Sequence, residues 1–461
     1  MNMPATLAER DLDAVFHPMS QLSVLNQQGP MMVVRGEGIH VWDDQGKQYI
    51  DGLAGLWCAS LGYANEEIAQ VAYDQIKTLS YGHLFLDKSH TMAMELAEKL
   101  KKLVPGNFSK VFFGLSGSDA NDTQIKLVRY YNNAIGRPEK KKIISRQKAY
   151  HGITFAAANA AGLPAMHQGF DLPVAGFLHT DCPHYYRFKE PGESEEDFTT
   201  RLAANLERLI LDEGPETIAA FIAEPIQGAG GVLVPPASYF PKIQQVLKKY
   251  EVLFIDDEVI TGFGRTGNPF AVTTFELEPD TMSLAKSLTS AYMPLSAVMI
   301  PEFIYQAIVE ISKDWGIFGH GFTYTGHPVS TAVGLKVLEI YERDQVFQSA
   351  AKLGEQFQAR MQVLADHPLV GEVRGKGLIG ACELVANKDR GDAFPLEAAV
   401  GKYCLARMRA NGLICRAIGD ALALCPPLIT SEDELGEIFA RYTRSLDETL
   451  DWVTREGLLA A

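Results

Sequence analysis

Val252-Leu253-Phe254-Ile255-Asp256-Asp257-Glu258-Val259 decides the fold. Four apolar residues in a row followed by acids describe a strand buried on both faces, the kind a parallel sheet uses, with Asp257 delivered at its carboxyl end. Met282-Ser283-Leu284-Ala285-Lys286 has the same form and ends in an amine. A buried acid and a buried amine, each on its own strand, are costly unless something takes up both charges.

Outward from this pair, short apolar runs alternate with helical patterns. Strands are predicted at 110–113, 142–145, 217–223, 252–255, 281–285 and 296–300, with helices over 120–132 and 239–249. Crossover helices between short buried strands mean an α/β fold with a large, mostly parallel sheet. Upstream, residues 1–30 read as irregular. A hairpin follows at 31–43, and a turn at 44–46 leads into 48–50. Asn65 caps a helix with the apolar face Ile68, Val71, Ala72, Ile76 and Leu79. A second helix covers 89–103, and 267–279 reads as a loop. Downstream, helices at 333–344 and 346–364, apolar segments at 377–385 and 413–426 and terminal helices make a smaller α+β portion. The expected division is an N-terminal segment, 1–60, packing with the small domain, a large cofactor-binding domain, 61–330, and a small C-terminal domain, 331–461.

Composition narrows the class. The chain has 461 residues, 47% hydrophobic and 21% charged, as in an ordinary globular enzyme. Its formal charge of -15 argues against a nucleic-acid or anionic-membrane surface. No apolar stretch approaches the ~18 residues of a membrane span, and Met1 to Asp13 lacks an apolar signal core. Six cysteines, none in a C-x-x-C pair, argue against zinc and against a disulfide framework; the expected compartment is reducing and cytoplasmic.

Other strand ends carry chemistry of their own. Ser116-Gly117-Ser118-Asp119-Ala120-Asn121 follows a strand and opens a helix, where free N–H groups and the helix dipole favour an anion. It reads as a phosphate seat or as a capped helix start. Tyr150, in Ala149-Tyr150-His151-Gly152, can stack on a flat ring or simply pack. Glu224 opens the Gly-rich turn 224–231 and can touch a ring hydroxyl or satisfy loop backbone. Asp257 can cap a helix, pair with an arginine or hold a protonated pyridine nitrogen. Desolvation at Lys286 would lower its pKa and so favour the nucleophilic amine, although most lysines are solvated. Taken together, phosphate seat, aromatic face, acid and amine match the binding needs of pyridoxal 5′-phosphate: a phosphate, a flat ring, a ring nitrogen and an aldehyde to trap as an imine.

With these residues in view, the chain resembles the class-III or ω-aminotransferases, fold-type-I pyridoxal-phosphate enzymes. Asp257-Glu258-Val259-Ile260-Thr261-Gly262-Phe263-Gly264-Arg265 resembles the family's D-E-V-x-x-G-F-G-R signature, Lys286 follows at its spacing, and 320–328 is similar to its H-G-x-T-x-x-G-x-P segment. The resemblance implies that Lys286 bonds the cofactor and shuttles a proton, and that Asp257 pairs with the ring nitrogen. Tyr150 would stack on the ring. Gly117 and Ser118 would hold the phosphate, with His151, Gly152, Glu224 and Val259 around the ring. Thr323 would reach the neighbouring subunit's phosphate, which implies a homodimer with shared sites. Trp57 and Phe85 would wall the donor pocket, with core packing as the alternative for each.

Arg416 is a lone cation in the apolar segment 413–418 and calls for an anionic partner. In similar enzymes this arginine binds the carboxylate of the keto acid. Relatives that use 2-oxoglutarate carry a masking glutamate where this chain has Ala229, so the resemblance implies the pyruvate-using branch. Asp119 stands where many relatives have glutamate. The implied reaction is ping-pong transfer of a primary amine from an ω-amino acid, a diamine or an aryl-alkyl amine to a keto acid. The alternatives are another pyridoxal-phosphate reaction, as in an aminomutase or a decarboxylase, and a non-catalytic binding protein on the same fold.

Overall fold

Residues 5–460 are described by the structure, a computed structural model. Their strands fall into three sheets. The N-terminal hairpin supplies β1 (Val33–Glu37), β2 (His40–Asp43) and β3 (Gln48–Asp51). Next come β4 (Phe108–Gly114), β5 (Lys142–Arg146), β6 (Phe177–Thr180), β7 (Ile218–Ala223), β8 (Leu253–Asp257), β9 (Thr281–Leu284) and β10 (Ser296–Pro301). The C-terminal part adds β11 (Val370–Lys376), β12 (Ile379–Leu384), β13 (Leu413–Ile414), β14 (Arg416–Ile418) and β15 (Ala421–Leu424).

The large sheet has the order β4-β10-β9-β8-β7-β5-β6. β6, β5, β7, β8 and β9 run parallel, and β10 is antiparallel to both its neighbours. Every predicted strand of this sheet is present. β6 was not anticipated, because Phe177-Leu178-His179-Thr180 is a short, half-buried edge strand whose apolar run stops after two residues.

Alternation along the central strands sorts the core. Phe221 of β7 and Phe254 of β8 pack with Phe198 and Phe240 on one face. Ala220, Ile222 and Ile255 pack on the other face with Ile125 and Val128 of the helix Gly117–Ala134. Asp257 shares the face of Ile255, and Asp256 shares that of Phe254. One strand therefore turns consecutive acids to opposite sides of the sheet.

The other two sheets connect the chain ends. β13 pairs in parallel with β3, which joins the N-terminal hairpin to the C-terminal part. β11-β12-β15-β14 is antiparallel.

Residues 1–30 are not irregular as expected: helices form at Leu7–Ala14 and Leu22–Gln28. Thr6 and Glu9 make a capping box that starts the first. Met1 to Pro4 lie outside the described residues. The stretch 267–279, expected as a loop, holds the short helix Ala271–Thr274. Asn65 caps the helix Glu66–Thr78 as expected, accepting from the Ile68 N–H at 3.1 Å. Of its predicted apolar face only Ile68 is buried, while Ile76 is 55% exposed.

Candidate active site

The carboxyl ends of the parallel strands, with the start of the helix Gly117–Ala134, enclose a cavity of about 340 Å³. Nine of the ten predicted cofactor residues line it together: Gly117, Ser118, Tyr150, His151, Gly152, Glu224, Asp257, Val259 and Lys286.

The helix start is both capped and open. Ser116 Oγ accepts from the Asp119 N–H at 3.2 Å, and the Asp119 carboxylate accepts from the Leu115 and Ser116 N–H groups and from Ser296 Oγ. Asp119 is thus spent on backbone and on β10, away from the cavity lining. The N–H groups of Gly117 and Ser118 point out of the first turn with no protein partner among the described residues, which suits an anion. Gly117 has to lack a side chain, since a Cβ there would lie 2.9 Å from Val259 Cγ1.

Glu224 satisfies loop backbone. Its carboxylate accepts from the N–H groups of Tyr150 at 2.9 Å and Gly228 at 3.0 Å, and this holds Tyr150 at the cavity. Burial raises its pKa. Arg146, fully buried, donates to the Glu224 carbonyl from the strand before Tyr150.

Asp257 ends β8 with its carboxylate in the cavity. Oδ2 accepts from Asn121 Nδ2 at 2.7 Å and pairs with His151 Nδ1 at 2.8 Å; Oδ1 accepts from the Val259 N–H at 3.2 Å. No arginine joins it among the described residues. Asn121 was missed as a functional residue from sequence. Its signal was present, because it lies four residues after Gly117 and so on the same face of the helix.

Lys286 lies just beyond β9 with φ +50°, a left-handed backbone that lysine adopts only when its surroundings enforce it. Burial lowers its pKa, opposed by the Asp257 carboxylate. It makes no ion pair among the described residues, so the amine is left available.

The substrate residues separate. Trp57 is 2% exposed and packs with Ile260, itself on the cavity wall. Arg416 on β14 is half-buried and has no carboxylate partner among the described residues; burial lowers its pKa, with Tyr150 as the group near it. Phe85 and Thr323 are not at the cavity of their own chain. Phe85, 42% exposed, lies against Gly321 in a surface groove with Phe112 and Phe318. Thr323 is exposed, and its carbonyl accepts from Tyr81 at 2.9 Å. Phe85, Leu86, Thr323 and Tyr324 are exposed, so the Phe85 and Thr323 side chains do not reach the cavity of their own chain.

One other cluster has ligating character. His184, Glu372 and Glu383 come together at a contact between the two portions of the chain. Arg374 bonds Glu372 at 2.5 Å and Glu383 at 2.8 Å, so a guanidinium already occupies the position of a cation.

A nucleophilic amine, a carboxylate fixed by two side chains and a backbone N–H, and an anion seat thus share one cavity at the carboxyl edge of a parallel sheet. The chain matches the family model "Aminotransferase class-III" over residues 23–446. It is 49% identical over 421 residues to gamma aminobutyrate transaminase 3, chloroplastic, of Solanum lycopersicum, covering 91% of this chain and 81% of that one. Against vanillin aminotransferase of Capsicum chinense it is 48% identical, covering 91% and 92%. Among solved structures, the omega transaminase of Pseudomonas jessenii in complex with PMP superposes with a TM-score of 0.96 at 51% identity, covering 98% of this chain and 99% of that one. With the match spanning both the large sheet and the C-terminal part, the chain belongs to the class-III aminotransferases and is an α/β enzyme that transfers an amino group from an amine to a keto acid.

Proposed function

We propose that the cavity holds pyridoxal 5′-phosphate and that the enzyme is an ω-aminotransferase passing the amine of a small donor to pyruvate. The cofactor rests on one juxtaposition: the unpaired Lys286 amine, the Asp257 carboxylate and the free Gly117 and Ser118 N–H groups around a single cavity. Class-III aminotransferases use this cofactor, and the Pseudomonas jessenii relative is described with PMP, its aminated form. When bound, the cofactor supplies an electron-withdrawing ring that acidifies the C–H bond beside the donor nitrogen.

The chain's own residues do the rest. Gly117 and Ser118 bind the phosphate, and Tyr150 covers one face of the ring. Asp257 keeps the ring nitrogen protonated, with Asn121 and His151 holding that carboxylate in place. His151, Gly152, Glu224 and Val259 shape the remaining wall. Lys286 Nζ anchors the resting enzyme and then carries the proton between donor carbon and cofactor, a role that its lowered pKa favours.

Arg416 supports pyruvate as acceptor. It is a half-buried guanidinium with no carboxylate on it among the described residues, and Ala229 cannot mask it. It binds the acceptor's carboxylate in a bidentate grip and leaves room for donors that lack one at that end. The relatives' names fit this donor class: gamma-aminobutyrate is an ω-amino acid, and vanillin is the aldehyde of an aryl-alkyl amine. A panel of β-alanine, a diamine and 1-phenylethylamine, each tried with pyruvate and with 2-oxoglutarate, tests the reading. Alanine should accumulate with pyruvate. Transfer only to 2-oxoglutarate, or none with any donor, overturns it.

Thr323 and Phe85 support a homodimer, since both are exposed: Phe85 lies in a groove with the exposed Leu86 and Ile317, and Thr323 adjoins the exposed Tyr324. In the dimer each chain would add Thr323 to its partner's phosphate seat and Phe85 to its partner's donor pocket. Sedimentation that returns a monomer with full activity would remove this part. The division at 60 and 330 is retained, with β3–β13 pairing as its support. Six unpaired cysteines support a reducing, cytoplasmic location, although the Solanum relatives are named chloroplastic and mitochondrial. No helix among the described residues is long and apolar enough to cross a membrane.

A further inference from the structure

Trp57 does not sit on a regular element. It closes the turn Ala54–Trp57, in which three residues of four have positive φ: Ala54 +49°, Gly55 +66° and Trp57 +64°. Two of these are not glycine, and such backbone persists only when neighbouring groups over-determine it. The turn's own bonds, Trp57 N–H to the Leu53 carbonyl and Cys58 N–H to the Ala54 carbonyl, both 2.9 Å, do not force that conformation.

Asp51 does. It is the last residue of β3, 2% exposed, and its carboxylate lies inside the turn. Oδ1 accepts from the Leu53 N–H at 3.0 Å. Oδ2 accepts from the Gly55 N–H and from Tyr63 Oη, the latter at 2.6 Å. Three donors therefore converge on one carboxylate, one from the backbone of the strained turn and one from the residue that enters it. The frame around it is fixed: Gly52 donates to the Ile414 carbonyl and accepts from Cys425, each at 2.8 Å. Beyond Trp57, Ser60 Oγ meets Ser287 Oγ at 2.6 Å and the Leu61 N–H meets Ser290 Oγ at 2.7 Å, which ties the segment to the turn that carries Lys286. Within that frame the indole packs in one buried cluster with Ile226 and with Ile260, which lines the cavity.

We propose that Asp51, with Tyr63, is a positioning residue that sets how far Trp57 reaches into the donor pocket, and thereby selects which donor amine is accepted. The inference rests on the reading of Trp57 as a wall of that pocket. Neither residue touches substrate or cofactor. The carboxylate is the required group, because an amide offers one acceptor oxygen and would turn its NH2 against a donor. Tyr63→Phe removes one donor and keeps the ring.

The test uses the holoenzyme, with Asp51→Asn and Tyr63→Phe each made in the wild-type and in the Trp57→Ala background. The readout is kcat/KM for 1-phenylethylamine relative to β-alanine with pyruvate as acceptor, together with cofactor absorbance. Asp51→Asn should change that ratio by about tenfold or more, since a displacement of the order of 1 Å costs up to 10²-fold. Tyr63→Phe should shift it in the same direction and less. Absorbance should be unchanged, and both shifts should vanish once Trp57 is alanine, because the residues act through it.

A ratio within twofold of wild type overturns the inference. A shift of the same size in the Trp57→Ala background does so too, since it would mark general damage. Should Asp51→Asn fail to fold, the Tyr63→Phe cycle decides by the same criteria. A wild type inactive with both donors removes the functional reading and this inference with it, whereas an active wild type with unresponsive variants removes the inference alone.

Discussion

His151 Nδ1 and Asp257 Oδ2 lie 2.8 Å apart, and both side chains are buried. His151 Nε2 has no partner among the described residues, so the tautomer protonated at Nδ1 is the one that leaves no buried N–H unpaired there. With Asn121 donating to the same oxygen, the Asp257 carboxylate is held in one orientation before any ligand arrives.

Removing either donor should therefore be felt twice. His151→Ala and Asn121→Ala each leave a buried carboxylate short of a bond, and each should destabilise the protein by about 1–3 kcal/mol. Denaturant titration of the apoprotein measures that loss, and spectroscopic titration should show weaker cofactor binding. Stability and affinity both at wild-type level would show that the pair does not position Asp257.

Lys286→Ala should lower transfer of amine to pyruvate by about four orders of magnitude or more, in line with the loss of an essential nucleophile. The visible absorbance of lysine-bound cofactor should disappear as well. Residual turnover above about one per cent of wild type would assign the proton transfer elsewhere.

Arg416→Ala should act on one half of the reaction only. Losing hydrogen bonds to a charged group costs about 1.5–3 kcal/mol, or roughly a 10- to 100-fold rise in the KM for pyruvate. The rate of cofactor amination by 1-phenylethylamine, followed by stopped-flow absorbance, should stay within about twofold. An equal fall in both half-reactions would place Arg416 in a structural role.

Glu258 gives a pH dependence. Burial raises its carboxyl to about 7, against a Thr261 Oγ1 bond at 2.5 Å and the Val272 N–H at 2.6 Å, which lower it. Asp256 is raised as well, by burial and by the Glu258 and Asp257 charges. For a carboxyl raised above its unfolded value, the folded state holds the proton more tightly. Its contribution to stability is thus full below the unfolded value of 4.5 and is lost as pH rises through about 7. Glu258→Gln should flatten the fall in Tm between those limits, and a wild-type Tm that climbs over the same interval would refute the assignment.

Much of the large sheet was legible because its strands are fully buried and so read as unbroken apolar runs, as at Ile218–Ala223. The cavity was legible for the same reason: a charge at the end of such a run, Asp257 or Lys286, has few places to go. Edge strand β6 and the N-terminal helices were not, since neither buries a long apolar face. The exposure of Phe85 was not legible, because sequence spacing does not say whether a loop turns toward its own sheet or away from it. Asn121 and Asp51 escaped notice for a different reason, being polar residues whose work is to hold other residues, which only the hydrogen bonds reveal.

Asp257 and Lys286 stand on the large sheet, whereas Trp57 and Arg416 hang from the two smaller ones, at the exits of β3 and on β14. Reaction and preference are thereby carried by separate pieces of architecture. A lineage, or an engineer, can rework the turn after Asp51 or the strand bearing Arg416 and leave the pairing of β8 with β7 and β9 untouched. Diversification of donors can then proceed on an unchanged chemical engine.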